Sequence, residues 1–160
     1  MAKNKTATKK TAATNASPVV GALRQVVADS YALLGQTHLC HWNVRGRSFF
    51  SLHTAFEQQY TELFTAVDEI AERIRALGAL APGGLGNLAS MAGIREIQED
   101  AAAADMVRHL ADANKRLVAD LNKARELAGE AGDNETEDLM IGRLQVHEKT
   151  IWMLESFLDE

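Results

Sequence analysis

Apolar residues recur at steps of three and four along most of this chain, the period of a helix face and not of a strand. In residues 18–44, Val20, Leu23, Val27, Tyr31, Leu34, His38 and His41 fall on one stripe. Two members of that stripe are histidines. Ser17-Pro18 marks the start, a serine at the N-cap and a proline at the first helical position. Asn43-Val44-Arg45-Gly46 marks the end, with Gly46 available for a left-handed turn. A second helix, residues 50–78, is expected to follow Ser48 as N-cap. It carries Leu52, Phe56, Tyr60, Leu63, Val67, Ile70, Ile74 and Leu77, and Gly78 and then Pro82 stop it.

Residues 79–96 break the rhythm. Proline and glycines open a long link, within which NLASMAG has room for about two turns of helix. A third helix is expected over 98–128, with Met106, Leu110, Leu117, Leu121 and Leu127 inward. Gly129, Gly132 and Asp133-Asn134 end it. A fourth is expected over 135–158, with Leu139, Leu144, Ile151, Met153, Leu154 and Phe157 inward. No stretch alternates with period two for long enough to be a strand. Four long helices with short first and third links and a long middle link predict an all-α, ferritin-like four-helix bundle, its crossover carrying a short helix.

At 160 residues, 46 % hydrophobic and 24 % charged, the chain is one ordinary globular domain. Cys40 stands alone, so no disulfide closes within the chain, which suits a reducing cytosol. No apolar run reaches the ~20 residues of a membrane span. The lysines at the start precede no apolar segment, so no secretory leader is expected; a transit peptide would be Arg-rich, and these residues hold no arginine. Charge changes the picture more. The net charge is −5, yet residues 1–17 hold Lys3, Lys5, Lys9 and Lys10 and no acid. The other 13 basic and 22 acidic residues leave the body at −9. Residues 1–17 are therefore expected to be a disordered basic tail on an acidic bundle, residues 18–160.

The second helix carries the candidate chemistry. His53 and Glu57 are four apart and share a face, as do Asp68 and Glu72. Glu57 and Asp68 are eleven apart, close to a whole number of turns, so all four line one stripe. Imidazole with carboxylates suits iron, manganese or zinc. Eleven residues are also ~16 Å of rise, while ligands must approach within ~2–2.5 Å of an ion. The two pairs cannot share a metal in one chain. Antiparallel pairing of this helix with its own copy across a two-fold axis would bring them together twice over. His41 is placed to complete each site. The competing reading is a solvated face, with Glu69 and Glu72 paired to Arg73. An intra-bundle di-iron site needs Glu three residues before His. Those positions hold Gly35, His38, Phe50, Met106 and Leu144.

HWNVRG (41–46), FxxLHxxFE (49–57) and DEIAERIRALG (68–78) closely resemble the signature of the Dps mini-ferritins, DNA-binding proteins from starved cells. HEKTIWMLESFL (147–158) extends the resemblance across the bundle. The resemblance implies a ferroxidase centre between two subunits, with His41, His53 and Glu57 from one and Asp68 and Glu72 from its mate. Two irons per centre are expected. Glu57 departs from the family, which more often has Asp there; the carboxylate is kept on a longer arm. Trp42 matches a tryptophan that accepts oxidising equivalents. The resemblance further implies a hollow homododecamer built from two-fold dimers, which oxidises Fe(II) with hydrogen peroxide and stores ferric mineral. Acidic pores admit iron in the family, with Asp138 and Glu148 as the candidates here among the acids near the third turn. Lys3, Lys5, Lys9 and Lys10 would hold double-stranded DNA through its phosphates, without sequence readout. The expected place is the cytoplasm, at the nucleoid. Of the other histidines, His38 is expected to pack or to support a ligand, His109 to lie at the surface, and His147 to be structural. Two other readings stay open: a nucleoid-compacting protein with a vestigial metal site, and an iron shell that does not bind DNA.

Overall fold

The computed structural model describes residues 17–159. The expectation for the tail, including Lys3, Lys5, Lys9 and Lys10, lies outside the described residues. Five helices follow in order: α1 (Pro18–Asn43), α2 (Phe49–Ala76), α3 (Leu85–Met91), α4 (Ala103–Ala131) and α5 (Asn134–Leu158). No strand occurs among the described residues. The four long helices form the expected bundle, and the short α3 sits in the crossover.

Helix ends are set locally. Pro18 opens α1, but Ser17 caps it only through its carbonyl, which accepts the Gly21 N–H at 2.9 Å. Ser48 likewise makes no side-chain cap. Gly46 turns the chain with φ 105°. At the end of α2, Gly78 has φ 82°, its N–H reaches the Arg75 carbonyl, and the Ala79 N–H reaches back to Ile74. That paired closure satisfies two orphan carbonyls and requires a residue tolerant of the left-handed region. Gly132, at φ 69°, closes α4 in the same way. Asp133 then caps α5, accepting from the Thr136 N–H at 3.1 Å and its hydroxyl at 2.6 Å.

The crossover is stitched along α1. Arg24 donates to the Leu80 carbonyl, Gln25 to the Met91 carbonyl, and Asp29 accepts from Gly93 N–H. Farther on, Gln36 accepts from Ile97 N–H and Arg45 donates to the Asp100 carbonyl. Helix α4 begins at Ala103, five residues after its expected start. Ahead of it the Ala101 N–H closes a turn on the Gln98 carbonyl at 3.2 Å, with Gln36 and Arg45 bonding the backbone before and within it.

The core runs through Leu23, Val27, Phe56, Ile70, Leu117 and Met140, all essentially inaccessible. Three expected core residues, Tyr31, Ile151 and Met153, lie outside it. Tyr31 flanks a groove between α1 and α3. Met153, 49 % exposed, borders a cavity of about 260 Å³ between α2 and α5. Those two helices touch little, whereas α4 packs closely on α5 and α1 packs on both α2 and α4.

One buried pair makes stability depend on pH. Asp29 on α1 is fully buried and also accepts from Gln25 at 2.8 Å. Asp120 on α4 lies beside it, with Arg116 Nε 3.3 Å from its carboxylate. Burial first, and then the hydrogen bond and charge of Asp29, push the Asp120 carboxyl up to about 6. A carboxyl raised above its unfolded value of ~3.9 contributes stability that is complete below that value. The contribution is lost as pH rises through about 6. Asp120→Asn keeps a donor for Asp29 without the charge. It is expected to raise stability at pH 7.5 by roughly 1–2 kcal/mol, the difference vanishing towards pH 4. Chemical denaturation across that pH range measures it.

Candidate metal centre

His41 lies in the last turn of α1, where carbonyls lack helical partners. His53 lies in the first turns of α2. The chain reverses at Gly46, which brings the two imidazoles face to face, centroids 3.7 Å apart and 19° from parallel. Each ring bonds the other's backbone. His41 Nδ1–H donates to the His53 carbonyl at 2.9 Å, and His53 Nδ1–H donates to the His41 carbonyl at 2.8 Å. A carbonyl can only accept, so both rings must carry their proton on Nδ1. In the neutral ring this tautomer leaves the lone pair on Nε2, the form in which imidazole ligates a metal.

Aromatic rings surround the pair. Phe49 stacks on His53 at 5.0 Å, and Tyr60 meets His41 edge-on at 5.1 Å. Tyr60 also contacts His38 at 4.2 Å, and His38 stacks on Trp42 at 5.1 Å and 7°. Burial, and then the charge of His41, lower the pKa of His38. Trp42 itself is 68 % exposed. Burial pushes the nearby Cys40 thiol up to about 12, which leaves it unreactive.

Glu57, Asp68 and Glu72 are exposed along α2. None makes a side-chain hydrogen bond or ion pair with a described residue. The expected pairing of Arg73 with Glu69 or Glu72 does not form. Arg73 turns to the α4–α5 corner instead, bonding Asp133 at 2.5 Å and the Thr136 hydroxyl at 2.8 Å. Burial alone would raise the Asp133 pKa, but bonds from Thr136 and Arg73 hold it below the usual carboxylate range. One acid of the expected cluster is therefore structural.

The chain thus brings His41 and His53 together, with Glu57 one turn on, and leaves Asp68 and Glu72 three to four turns away. Among the described residues, no three His, Cys, Asp or Glu side chains converge on one point. Asp138 and Glu148 are both exposed on α5, ten residues apart, which is ~15 Å of rise. His109 departs from expectation. It is half-buried, its Nε2 has no partner among the described residues, and burial lowers its pKa against the pull of Asp112.

Sequence reasoning missed a polar chain inside the bundle. His147 Nδ1–H donates to Asn114 Oδ1 at 2.7 Å, and His147 Nε2 accepts from Arg143 at 3.0 Å. Arg143, almost fully buried, pairs with both oxygens of Glu62 on α2. Burial, and then the Arg143 charge, push His147 down to about 3, so it stays neutral. The signal was present: Arg143 and His147 fall on the stripe of Met140, Leu144 and Leu154, where polar residues must be satisfied internally. Glu62→Gln leaves the Arg143 charge buried without its counter-charge. The expected cost is about 1–3 kcal/mol, and adding Arg143→Met should recover part of it. Denaturation midpoints of the single and double variants measure both effects.

Comparison with known proteins follows the same lines. A family model described as a ferritin-like domain matches residues 20–160. The DNA protection during starvation protein 2 of Bacillus anthracis is 36 % identical over 142 residues, 89 % of this chain and 97 % of that one. A DNA protection during starvation protein of Brevibacillus brevis is 37 % identical over 137 residues, covering 86 % and 92 %. The crystal structure of a Dps protein from Bacillus brevis superposes with a TM-score of 0.85 at 37 % identity, covering 88 % and 94 %. The Vibrio cholerae O1 Dps structure, described as one of a broad superfamily of ferritin-like diiron-carboxylate proteins, gives 0.84 at 34 % identity, with 88 % of each chain covered.

Proposed function

The chain belongs to the Dps family of ferritin-like proteins, and from that membership we propose that it stores and detoxifies iron and protects DNA. The observation that carries the reading is the reciprocal His41–His53 pair. It holds two imidazoles in the ligating tautomer at one end of a stripe of unpaired carboxylates. The substrates are Fe(II) and hydrogen peroxide. His41, His53 and Glu57 of one subunit and Asp68 and Glu72 of another hold the ferrous ions, two to each centre. One peroxide takes one electron from each of two ferrous ions, its O–O bond breaks, and protons from solvent complete two waters. Consuming both reactants together denies either the chance to release hydroxyl radicals. Trp42, stacked on His38 and open on its other side, is the candidate to take up a stray oxidising equivalent.

The incomplete half-sites support assembly. A two-fold dimer completes two centres at once, and a hollow homododecamer of such dimers would retain the ferric product. Asp138 and Glu148 are the candidate acidic entry. Residues 1–17 form the proposed tail and 18–160 the bundle. Lys3, Lys5, Lys9 and Lys10 contribute four charges per chain for DNA phosphates. Many tails on one shell would bind duplex DNA far more tightly than one. No described helix is long and apolar enough to cross a membrane, and the proposed place of action is the cytoplasm, at the nucleoid.

Subunit mixing tests the centre. His53→Ala and Asp68→Ala should each lose the fast phase of Fe(II) oxidation by peroxide. Refolding the two variants together should restore part of it, because a mixed dimer keeps one intact site. No recovery on mixing, with both shells assembled, would place the ligands within one chain. Unchanged kinetics in the single variants would sink the ligand assignment, and no fast phase in the parent would favour a nucleoid-compacting protein with a vestigial site.

Deleting residues 2–15 should abolish a DNA gel shift at low salt while leaving iron oxidation unchanged. A shift that survives the deletion would move DNA binding elsewhere, and no shift in the intact protein would leave an iron shell alone.

A further inference from the structure

We propose that Phe49 and Tyr60 are positioning residues that hold the His41–His53 pair in its ligating arrangement before metal arrives. The inference rests on the metal-centre reading above. A bond from Nδ1 to a carbonyl fixes one atom of each imidazole and leaves the ring free to rock about that bond. Something must restrain the far side of each ring if Nε2 is to stay where a ligand is needed. A ring has two faces. His41 covers one face of His53 at 3.7 Å, and Phe49 stacks on His53 at 5.0 Å and 25°. His41 in turn meets Tyr60 at 5.1 Å and 78°, the edge-to-face geometry that aromatic pairs prefer.

Tyr60 is itself restrained, since His38 lies 4.2 Å away and is backed by Trp42. The rings therefore follow one another as Phe49, His53, His41, Tyr60, His38 and Trp42. Helix geometry makes the column possible. Phe49, His53 and Tyr60 are four and seven residues apart, so they share one stripe of α2. His38 and His41 are three apart on the facing turns of α1. The two helices interleave their rings; Phe49 offers a metal no atom, and Tyr60 acts here through its ring, which the Tyr60→Phe variant separates from its hydroxyl. Their effect on ligation passes through the imidazoles.

The experiment uses the assembled protein and Co(II) alone, titrated by calorimetry. The site of interest is the one that His53→Ala removes. Phe49→Leu and Tyr60→Leu keep apolar bulk and lose the ring. Each should weaken that site ~10-fold, the scale for losing a group that orients a ligand. Tyr60→Phe keeps the ring and should bind within about twofold of the parent. In peroxide-driven Fe(II) oxidation the leucine variants should raise KM with kcat little changed. Leucine variants that fold, bind Co(II) as tightly as the parent and keep its KM would overturn the clamp, reducing both residues to core packing. A Tyr60→Phe variant as weak as Tyr60→Leu would also overturn it, assigning the effect to the hydroxyl. Should Tyr60→Leu fail to assemble, Tyr60→Met poses the same question with similar bulk. If His53→Ala removes no Co(II) site, the metal-centre reading itself fails and the clamp falls with it.

Discussion

A helix is a rod, and side chains on one rod keep the spacing that 3.6 residues per turn imposes. That constraint governs α2. It places His53, Glu57, Asp68 and Glu72 on one stripe while holding the two halves ~16 Å apart. No side-chain rotation closes such a gap. If these residues are the ligands proposed, a single chain carries the parts of a centre but not the centre. The exposed acids cost little in this state, since water solvates each of them. The same rod turns a local reading of sequence into a statement about assembly.

A rod is useful only if its placement is firm. Along one side α2 packs against α1, the contact that joins the two histidines. Its far end is fixed by the Arg73 bonds to Asp133 and Thr136, which tie it to the cap of α5. Midway, Glu62 pairs with Arg143 across the side where α2 and α5 otherwise leave a cavity. These charged contacts stand where apolar packing is thinnest. The crossover adds no restraint to α2 beyond its start. It is bonded instead to α1 and the turn that follows it, from Arg24 at one end to Arg45 at the other.

The fold was legible where the chemistry is local. Pro18, Gly46, Gly78 and Gly132 mark helix ends because each has a backbone property that other residues lack. The apolar stripes identified the inward faces, and the link lengths identified the crossover. The start of α4 was not legible, because its contacts are distant: Gln36 on α1 and Arg45 just beyond it bond Ile97 and Asp100, before and within a turn. Arg73 was misread for the same reason, its nearest acids in sequence losing to Asp133, sixty residues away. Of the candidate centre, the stripe on α2 could be read from spacing alone. The mutual bonding of His41 and His53 could not. It depends on a turn that sets one ring against the other's carbonyl, and no periodicity encodes that.

Histidine shows why residue type alone does not decide chemistry. His147 and His53 each donate from Nδ1 to an oxygen, so both hold the same tautomer. They differ at Nε2. In His147 that lone pair is taken by Arg143, inside a bundle where burial keeps the ring neutral. Nothing remains with which to bind a metal, and the guanidinium beside it repels one. In His53 the corresponding atom meets no described partner, and the ring is only half-buried. The bundle interior, where a ferritin-like fold would ordinarily place its carboxylates and histidines, is here occupied by a fixed positive charge. On the proposed reading, metal chemistry falls to the face of α2, and that face would be completed by a second copy.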